Sequence, residues 1–129
     1  MSFVLGIDTS NYTTSCALLD TADMRVRSCK KLLPVKQGER GLRQSDAVFH
    51  HTKQLPELMK QLFDKKYDIS AVGYSYAPRC AEGSYMPCFL VGENVAQAVS
   101  LACGADLEKT SHQVGHILAC LLYTSDAAD

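Results

Sequence analysis

SFVLGIDTSNYTTSCALLDTADMRVRSCKKLLPV, residues 2–35, is the stretch whose reading decides the fold. It opens with an apolar run that reaches Asp8 and reads as a buried strand. Residues 9–15, TSNYTTS, are small and polar and suit a tight turn. CALLD follows as a second strand. Thr21, Ala22 and Asp23 then turn the chain into MRVRSCKKLLPV, where apolar and basic residues alternate as in a half-exposed strand. Three strands joined by short connections predict an antiparallel meander.

Outward from the meander the pattern changes. VKQGERGLRQS is polar, carries Gly38 and Gly41, and reads as a loop. Ser45 and Asp46 suit a helix start. Beyond them Leu55, Leu58, Met59, Leu62 and Phe63 recur at helical spacing on one face. Pro56 lacks a backbone donor, so a kink or break is expected near Gln54. DISAVGYSYAP reads as a strand apolar on both faces and ended by Pro78. FLVGENVAQAVSLACG reads as a helix with Gly104 at its C-terminal cap. Gly92, Ala96 and Ser100 give it a smooth stripe for close packing. ADLEKTS is a last short strand, and HQVGHILA opens another helix. The expected order is β-β-β-α-β-α-β-α: an α/β fold with a mixed sheet, as in a ribonuclease-H-like, actin-like lobe.

A chain of 129 residues is long enough for one domain with one core. At 47% hydrophobic and 21% charged residues it falls outside the disordered class. A net charge of −1 leaves no overall electrostatic footprint for nucleic acid. The charge is uneven, though. Arg25, Arg27, Lys30, Lys31, Lys36, Arg40 and Arg43 face one acid, Glu39. Such a run can meet a polyanion or simply form a solvated strand and loop. The six cysteines are scattered without a CxxC pair, which excludes a zinc ribbon. The first apolar run is short and has no basic segment before it, unlike a secretory signal. Buried thiols in a reducing, cytoplasmic setting are therefore expected. No stretch approaches the ~20 apolar residues of a membrane helix.

Two groups could carry chemistry. His112 and His116 stand at i and i+4 of the last expected helix, where both imidazoles can reach one metal ion. Thr110 and Ser111 suit its cap, and the positive end of the helix dipole would keep His112 neutral and ligating. Two ligands are too few for a tight site, and the spacing also suits two ordinary surface or core-edge histidines. The second group is Asp8, Thr9, Ser10 and Asn11. A carboxylate at a strand end followed by hydroxyl and backbone donors can cradle phosphate and hold a water or cation. It also suits a plain turn between strands. His50 and His51, on the polar or boundary side of their helix, read as structural or surface residues.

LGIDTSNYTTSCAL, HHTKQLPELM, FLVGENVAQAVSLACG and SHQVGHILA, taken together, resemble the TsaD/Gcp-type tRNA threonylcarbamoyladenosine transferase family in order and spacing. Older names for that family are glycoprotease and O-sialoglycoprotein endopeptidase. The resemblance covers residues 3–119, and H-x-x-G-H is its most specific part. It implies an actin-like (ASKHA) fold and transfer of a threonylcarbamoyl group from threonylcarbamoyl-adenylate to the adenosine beside the anticodon of tRNA. It further implies an iron or zinc ion on His112 and His116, completed by an acidic ligand from a second lobe. Asp8, Thr9, Ser10 and Asn11 would lie near the ligand's phosphate side. The implied partners are tRNA, a smaller paralogous subunit and an ATPase subunit, with no membrane. The chain departs from the family at GIDTSNYTT, where an acidic, cysteine-containing turn is usual. It departs again at Ala77–Pro78–Arg79, which replaces a Gly-Pro-Gly turn and leads into an extra segment, residues 80–87. Ser111 stands where a further histidine is usual. These departures suggest a divergent branch.

Residues 1–119 are thus expected to be an N-terminal lobe cut short. The last ten residues, CLLYTSDAAD, are what TGT CTC TTA TAC ACA TCT GAC GCT GCC GAC encodes, a transposase adapter of sequencing libraries. Residues 120–129 are expected to be translated adapter, and this piece alone is expected to be inactive. A different class of function is a non-catalytic paralogue that scaffolds the tRNA modification complex, though the smaller paralogues lack the histidine pair. A metalloprotease is the third reading. It wants a glutamate after the first histidine, where this chain has Gln113.

Overall fold

The computed structural model describes residues 2–10, 12–34, 43–78 and 86–111. The strands are β1 (Phe3–Ser10), β2 (Thr13–Asp20), β3 (Val26–Leu32), β4 (Ile69–Ala77) and β5 (Asp106–Ser111). The helices are α1 (Gln44–Leu62), between β3 and β4, and α2 (Phe89–Cys103), between β4 and β5. The sheet order is β3-β2-β1-β4-β5. β1, β2 and β3 pair antiparallel as the expected meander, while β4 runs parallel to both β1 and β5. The mixed α/β sheet therefore matches the sequence reading. The last expected helix lies outside the described residues.

One face of the sheet makes the core. Leu5 and Ile7 of β1, Cys16 and Leu18 of β2, and Val72 and Tyr74 of β4 are buried there together with Leu55, Leu58 and Leu62 of α1 and Val91 and Ala96 of α2. The registers Leu5↔Leu18, Ile7↔Cys16, Leu5↔Val72 and Ile7↔Tyr74 put these strand residues side by side on that face. Both described helices lie against it. On the opposite face Val4, Gly6, Asp8, Ala17, Leu19, Ala71 and Gly73 are half-buried.

The helices follow the expected patterns with two differences. α1 begins at Gln44 and runs through Pro56 as one helix. Burial of Leu55, Leu58 and Leu62 on one side holds it across the missing donor, and Pro56 itself is exposed. His51 lies four residues before Leu55 on this same face and is fully buried, not at the polar boundary. α2 ends as its sequence requires: Gly104 adopts a left-handed conformation at φ 65° and its N–H bonds back to the Ser100 carbonyl.

The expected seven-residue turn after β1 is much shorter. Thr9 and Ser10 belong to β1, and Thr13, Thr14 and Ser15 to β2. Their pairing Thr9↔Thr14 and Ser10↔Thr13 explains the difference. Threonine is β-branched and makes favourable cross-strand pairs, so polar character alone mimicked a loop.

Candidate functional site

The carboxyl ends of the parallel strands β1, β4 and β5 meet the start of α2, the position at which open α/β sheets hold ligands. Asp8 and Ser75 occupy neighbouring strands on the face away from the helices. Ser75 Oγ donates to Asp8 Oδ1 at 2.7 Å. Ser111, the last described residue, ends β5 and is fully buried.

Thr9 points the other way. Its hydroxyl donates to the Cys88 carbonyl at 2.9 Å and accepts from the Gly92 N–H at 3.1 Å. Cys88 and Gly92 are residues i and i+4, the two ends of the first helical hydrogen bond of α2. A β1 side chain thus clasps the start of that helix. The approach is close: a Cβ on Gly92 would stand 3.0 Å from Thr9 Oγ1 and 3.2 Å from Ile7 Cγ2, so those side chains would have to give way to a larger residue. The α1 start joins the same assembly: the Cys88 N–H donates to Gln44 Oε1 at 3.1 Å. Leu33, Ala47, Cys88 and Phe89 form a small buried cluster beneath it.

Under the β1–β2 turn lies a buried polar chain. Gln54 Nε2 donates to the Leu32 carbonyl, Thr14 Oγ1 donates to Gln54 Oε1, and Thr14 Oγ1 lies 2.7 Å from His51 Nδ1. Burial pushes the His51 imidazole below its ordinary value, opposed by the Ser10 carbonyl and the Asp8 carboxylate and aided by His50. Its Nε2 makes no hydrogen bond among the described residues. The unfolded chain therefore takes up this proton first. Stability is expected to be full above a pH of about 6.5 and to fall below it, by up to about 1.4 kcal/mol per pH unit until the folded value is reached. Urea melts at pH 7.5 and 5.5 check this. The loss should shrink in His51→Gln, and an equal loss in that variant would refute the assignment.

The Cys16 and Cys88 thiols are not poised for nucleophilic work. Burial pushes Cys16 up to about 12 and Cys88 up to about 11, so both stay protonated near neutrality. Cys29 is half-buried and Cys103 exposed. Part of the basic run is paired locally. Arg25 meets Asp23, and Arg27 reaches Asp64 and the Tyr67 hydroxyl from the edge strand β3.

Of the residues singled out from sequence, the structure brings Asp8, Thr9 and Ser10 to one strand end, with Asp8 and Thr9 on opposite faces. Asn11, His112 and His116 lie outside the described residues, as do residues 80–85 of the extra segment and residues 120–129. Among the described residues no group of three or more His, Cys, Asp or Glu side chains is placed to hold a metal ion. No described helix is long and apolar enough to cross a membrane. Sequence reading missed Ser75, Gln44 and the Thr14–Gln54–His51 chain. The only signal for His51 was its four-residue offset from Leu55.

The architecture is that of a YeaZ-like lobe, with five strands in a mixed sheet and two helices among the described residues. The solved YeaZ from Pseudomonas aeruginosa superposes with a TM-score of 0.60 at 21% identity, over 86% of this chain and 44% of that one. No family model matches the chain. Among curated proteins it is 30% identical over 124 residues to the tRNA N6-adenosine threonylcarbamoyltransferase of Ralstonia pickettii, covering 92% of this chain and 34% of that protein. It is 26% identical over 130 residues to the protein of that name from Pyrobaculum islandicum, covering 98% and 37%. A third relative is the probable bifunctional tRNA threonylcarbamoyladenosine biosynthesis protein of Thermoplasma acidophilum, 27% identical over 118 residues, covering 88% and 21%. These relatives support a divergent sequence of the TsaD/Gcp type. It spans about a third of the length of the curated threonylcarbamoyltransferases that it matches.

Proposed function

We propose that this chain is the nucleotide-facing lobe of a metal-dependent transferase. The reaction moves a threonylcarbamoyl group from threonylcarbamoyl-adenylate to an adenosine beside the anticodon of tRNA. The observation that carries this reading is the relationship to tRNA N6-adenosine threonylcarbamoyltransferases across 92% and 98% of the chain. The sheet edge supports it. Asp8, Ser10 and Ser75 offer a carboxylate and two hydroxyls where such sheets bind ligands, and the start of α2 brings the positive end of a helix dipole to the same edge.

In this reading Ser10 and Asn11 face the phosphate side of the adenylate, and Asp8 holds a water or cation beside it. Thr9 supports them indirectly by fixing α2. His112 and His116 directly follow β5 in sequence. Two imidazoles at i and i+4 are a donor set suited to iron or zinc and leave positions for ligands from beyond this chain. When bound, such an ion supplies Lewis acidity toward the carbamoyl carbonyl. The acceptor tRNA, the smaller paralogous subunit and the ATPase subunit are partners of the whole protein, which works in the cytoplasm.

The test uses the protein encoded by source DNA read past the Ala119 codon without transposase adapters. Threonine-derived label entering tRNA from threonylcarbamoyl-adenylate is the expected result. His112→Ala with His116→Ala should remove the metal and reduce transfer by roughly 100-fold or more. Transfer that survives with both imidazoles deleted would overturn the metal assignment. No transfer by the intact protein, with binding to its partner subunits retained, would favour the scaffolding paralogue.

A further inference from the structure

Cys16 and Cys29 stand directly opposite each other in the register of β2 and β3. Residues so paired point to the same face of a sheet. Here it is the face that carries the helices: Cys16 is buried in the core, and the half-buried Cys29 packs against it. The spacing of the pair follows from the ladder. At one end the Leu33 N–H donates to the Tyr12 carbonyl at 2.8 Å, and at the other the Asp20 N–H donates to the Arg25 carbonyl at 2.9 Å. Opposed pairs alternate between hydrogen-bonded and non-hydrogen-bonded, and steps of two from either end arrive at Cys16 and Cys29. They form a hydrogen-bonded pair, whose Cα atoms lie about 5.5 Å apart. A disulfide spans about 4.4–6.8 Å between Cα atoms, so the backbone already stands at bridging distance. Cβ atoms in such a pair are about 5.5 Å apart, and a disulfide needs about 3.5–4.5 Å. Closure therefore draws the two residues together by roughly 1 Å. Among the described residues β3 is an edge strand paired only with β2, so it can take up that movement.

We infer that Cys16 and Cys29 are a redox-sensitive dithiol site, which exchanges with small-molecule disulfides and closes as a cross-strand bond between β2 and β3. Cys29 reacts first, because it is the half-buried member and lies on the edge strand, where a solute can reach it. Its thiolate attacks one sulfur of oxidised glutathione and expels one glutathione thiolate. Cys16 then gives its proton to solvent and attacks the Cys29 sulfur, expelling the second glutathione. The two protein thiols lose two electrons and two protons in all, and one glutathione disulfide becomes two thiols. Burial, with the neighbouring Cys29 adding to it, pushes Cys16 up to about 12, so the second step is the slow one. The strain of closing the gap makes the bond easy to reduce, as labile disulfides are. Once formed, it ties the edge strand that carries Arg27, Lys30 and Lys31 to the buried part of the sheet. The inference is independent of the proposed function.

The 129-residue chain, reduced and then equilibrated in glutathione buffers of rising disulfide fraction, tests the pairing. After the remaining thiols are blocked, trypsin separates the two cysteines. Cleavage after Arg25, Arg27 and Lys30 leaves Cys16 in residues 1–25 and Cys29 in residues 28–30. The expected product is these two peptides linked, two hydrogens lighter than their sum, and parted by reductant. The same link should form when Cys80→Ser, Cys103→Ser and Cys120→Ser are combined, which leaves only the buried Cys88 as a competitor. The order of steps is read from single variants: Cys16→Ser should hold glutathione on Cys29, whereas Cys29→Ser should leave Cys16 unmodified. Folding itself should favour closure, because the sheet holds the thiols opposed. The linkage constant in native buffer is expected to exceed that of the same chain in urea by about tenfold or more. A glutathione adduct on Cys29 that never resolves would overturn the inference. So would links to other cysteines in place of this one, or a constant no higher in native buffer than in urea. If the triple variant does not fold, the peptide map of the unaltered chain still decides.

Discussion

Phe89→Ala is expected to lower the stability of this chain by about 3–5 kcal/mol. Phe89 is the largest of the fully buried side chains, at 1% exposure, and it opens α2. It packs with Leu33, which follows β3, with Ala47 of α1, and with Cys88 and Met86 before it. One ring thus joins the meander to both helices. Truncating it loses the transfer free energy of the ring and leaves a cavity, which small neighbours such as Ala47 and Cys88 fill poorly. Against the 5–15 kcal/mol that hold an ordinary domain together, the loss is a large share. Phe89→Leu, which keeps most of the volume, should cost under about 1.5 kcal/mol. Equilibrium urea unfolding of the three chains measures both. A loss below about 1 kcal/mol for alanine would mean that this cluster does not pin α2, and the site's geometry would need another support.

Thr9→Val carries the next largest effect, about 2–3 kcal/mol. Valine has nearly the shape of threonine, so the packing survives while the hydroxyl is lost. The bridge between the Cys88 carbonyl and the Gly92 N–H goes with it. Both groups sit beside a residue that is fully buried, where water cannot replace the missing partner. Thr9→Ser keeps the hydroxyl and removes one methyl, for about 1 kcal/mol. Ligand affinity offers a second readout. On the proposed function, and if Thr9 acts by fixing α2, valine should weaken adenylate binding along with stability, whereas serine should leave binding nearly intact. Full stability in the valine chain would refute the clasp.

These two residues show where sequence reading succeeds and where it stops. Phe89 stands at the head of a mostly apolar, small-residue run closed by Gly104, so a buried helix was legible from composition and cap. Its particular neighbours were not, because Leu33 and Ala47 are more than forty residues away in sequence. Thr9 looked like a turn residue with a hydroxyl to offer a ligand. The structure extends β1 through Ser10, and strand alternation then sends Thr9 to the helix side and Asp8 to the other. A candidate site read as four consecutive residues is split between two faces by that one change of register. His51 went the same way: its neighbour His50 and the polar residues around it drew it to the helix boundary, while the four-residue step to Leu55 put it in the core.

Periodicity, turn residues and caps were enough to establish the meander, both described helices, the two later strands and the mixed α/β class. Those signals are local, because each depends on residues within one or two turns or a single strand of one another. The family relationship is likewise carried by linear motifs. Only the tertiary structure decided that Ser75 meets Asp8, that Thr9 closes the first turn of α2, and that Thr14 stands between His51 and Gln54. Each of those contacts joins residues about forty to eighty apart in sequence. Whether such groups meet depends on strand order and helix placement, which chain-wide burial settles and no short window of sequence contains.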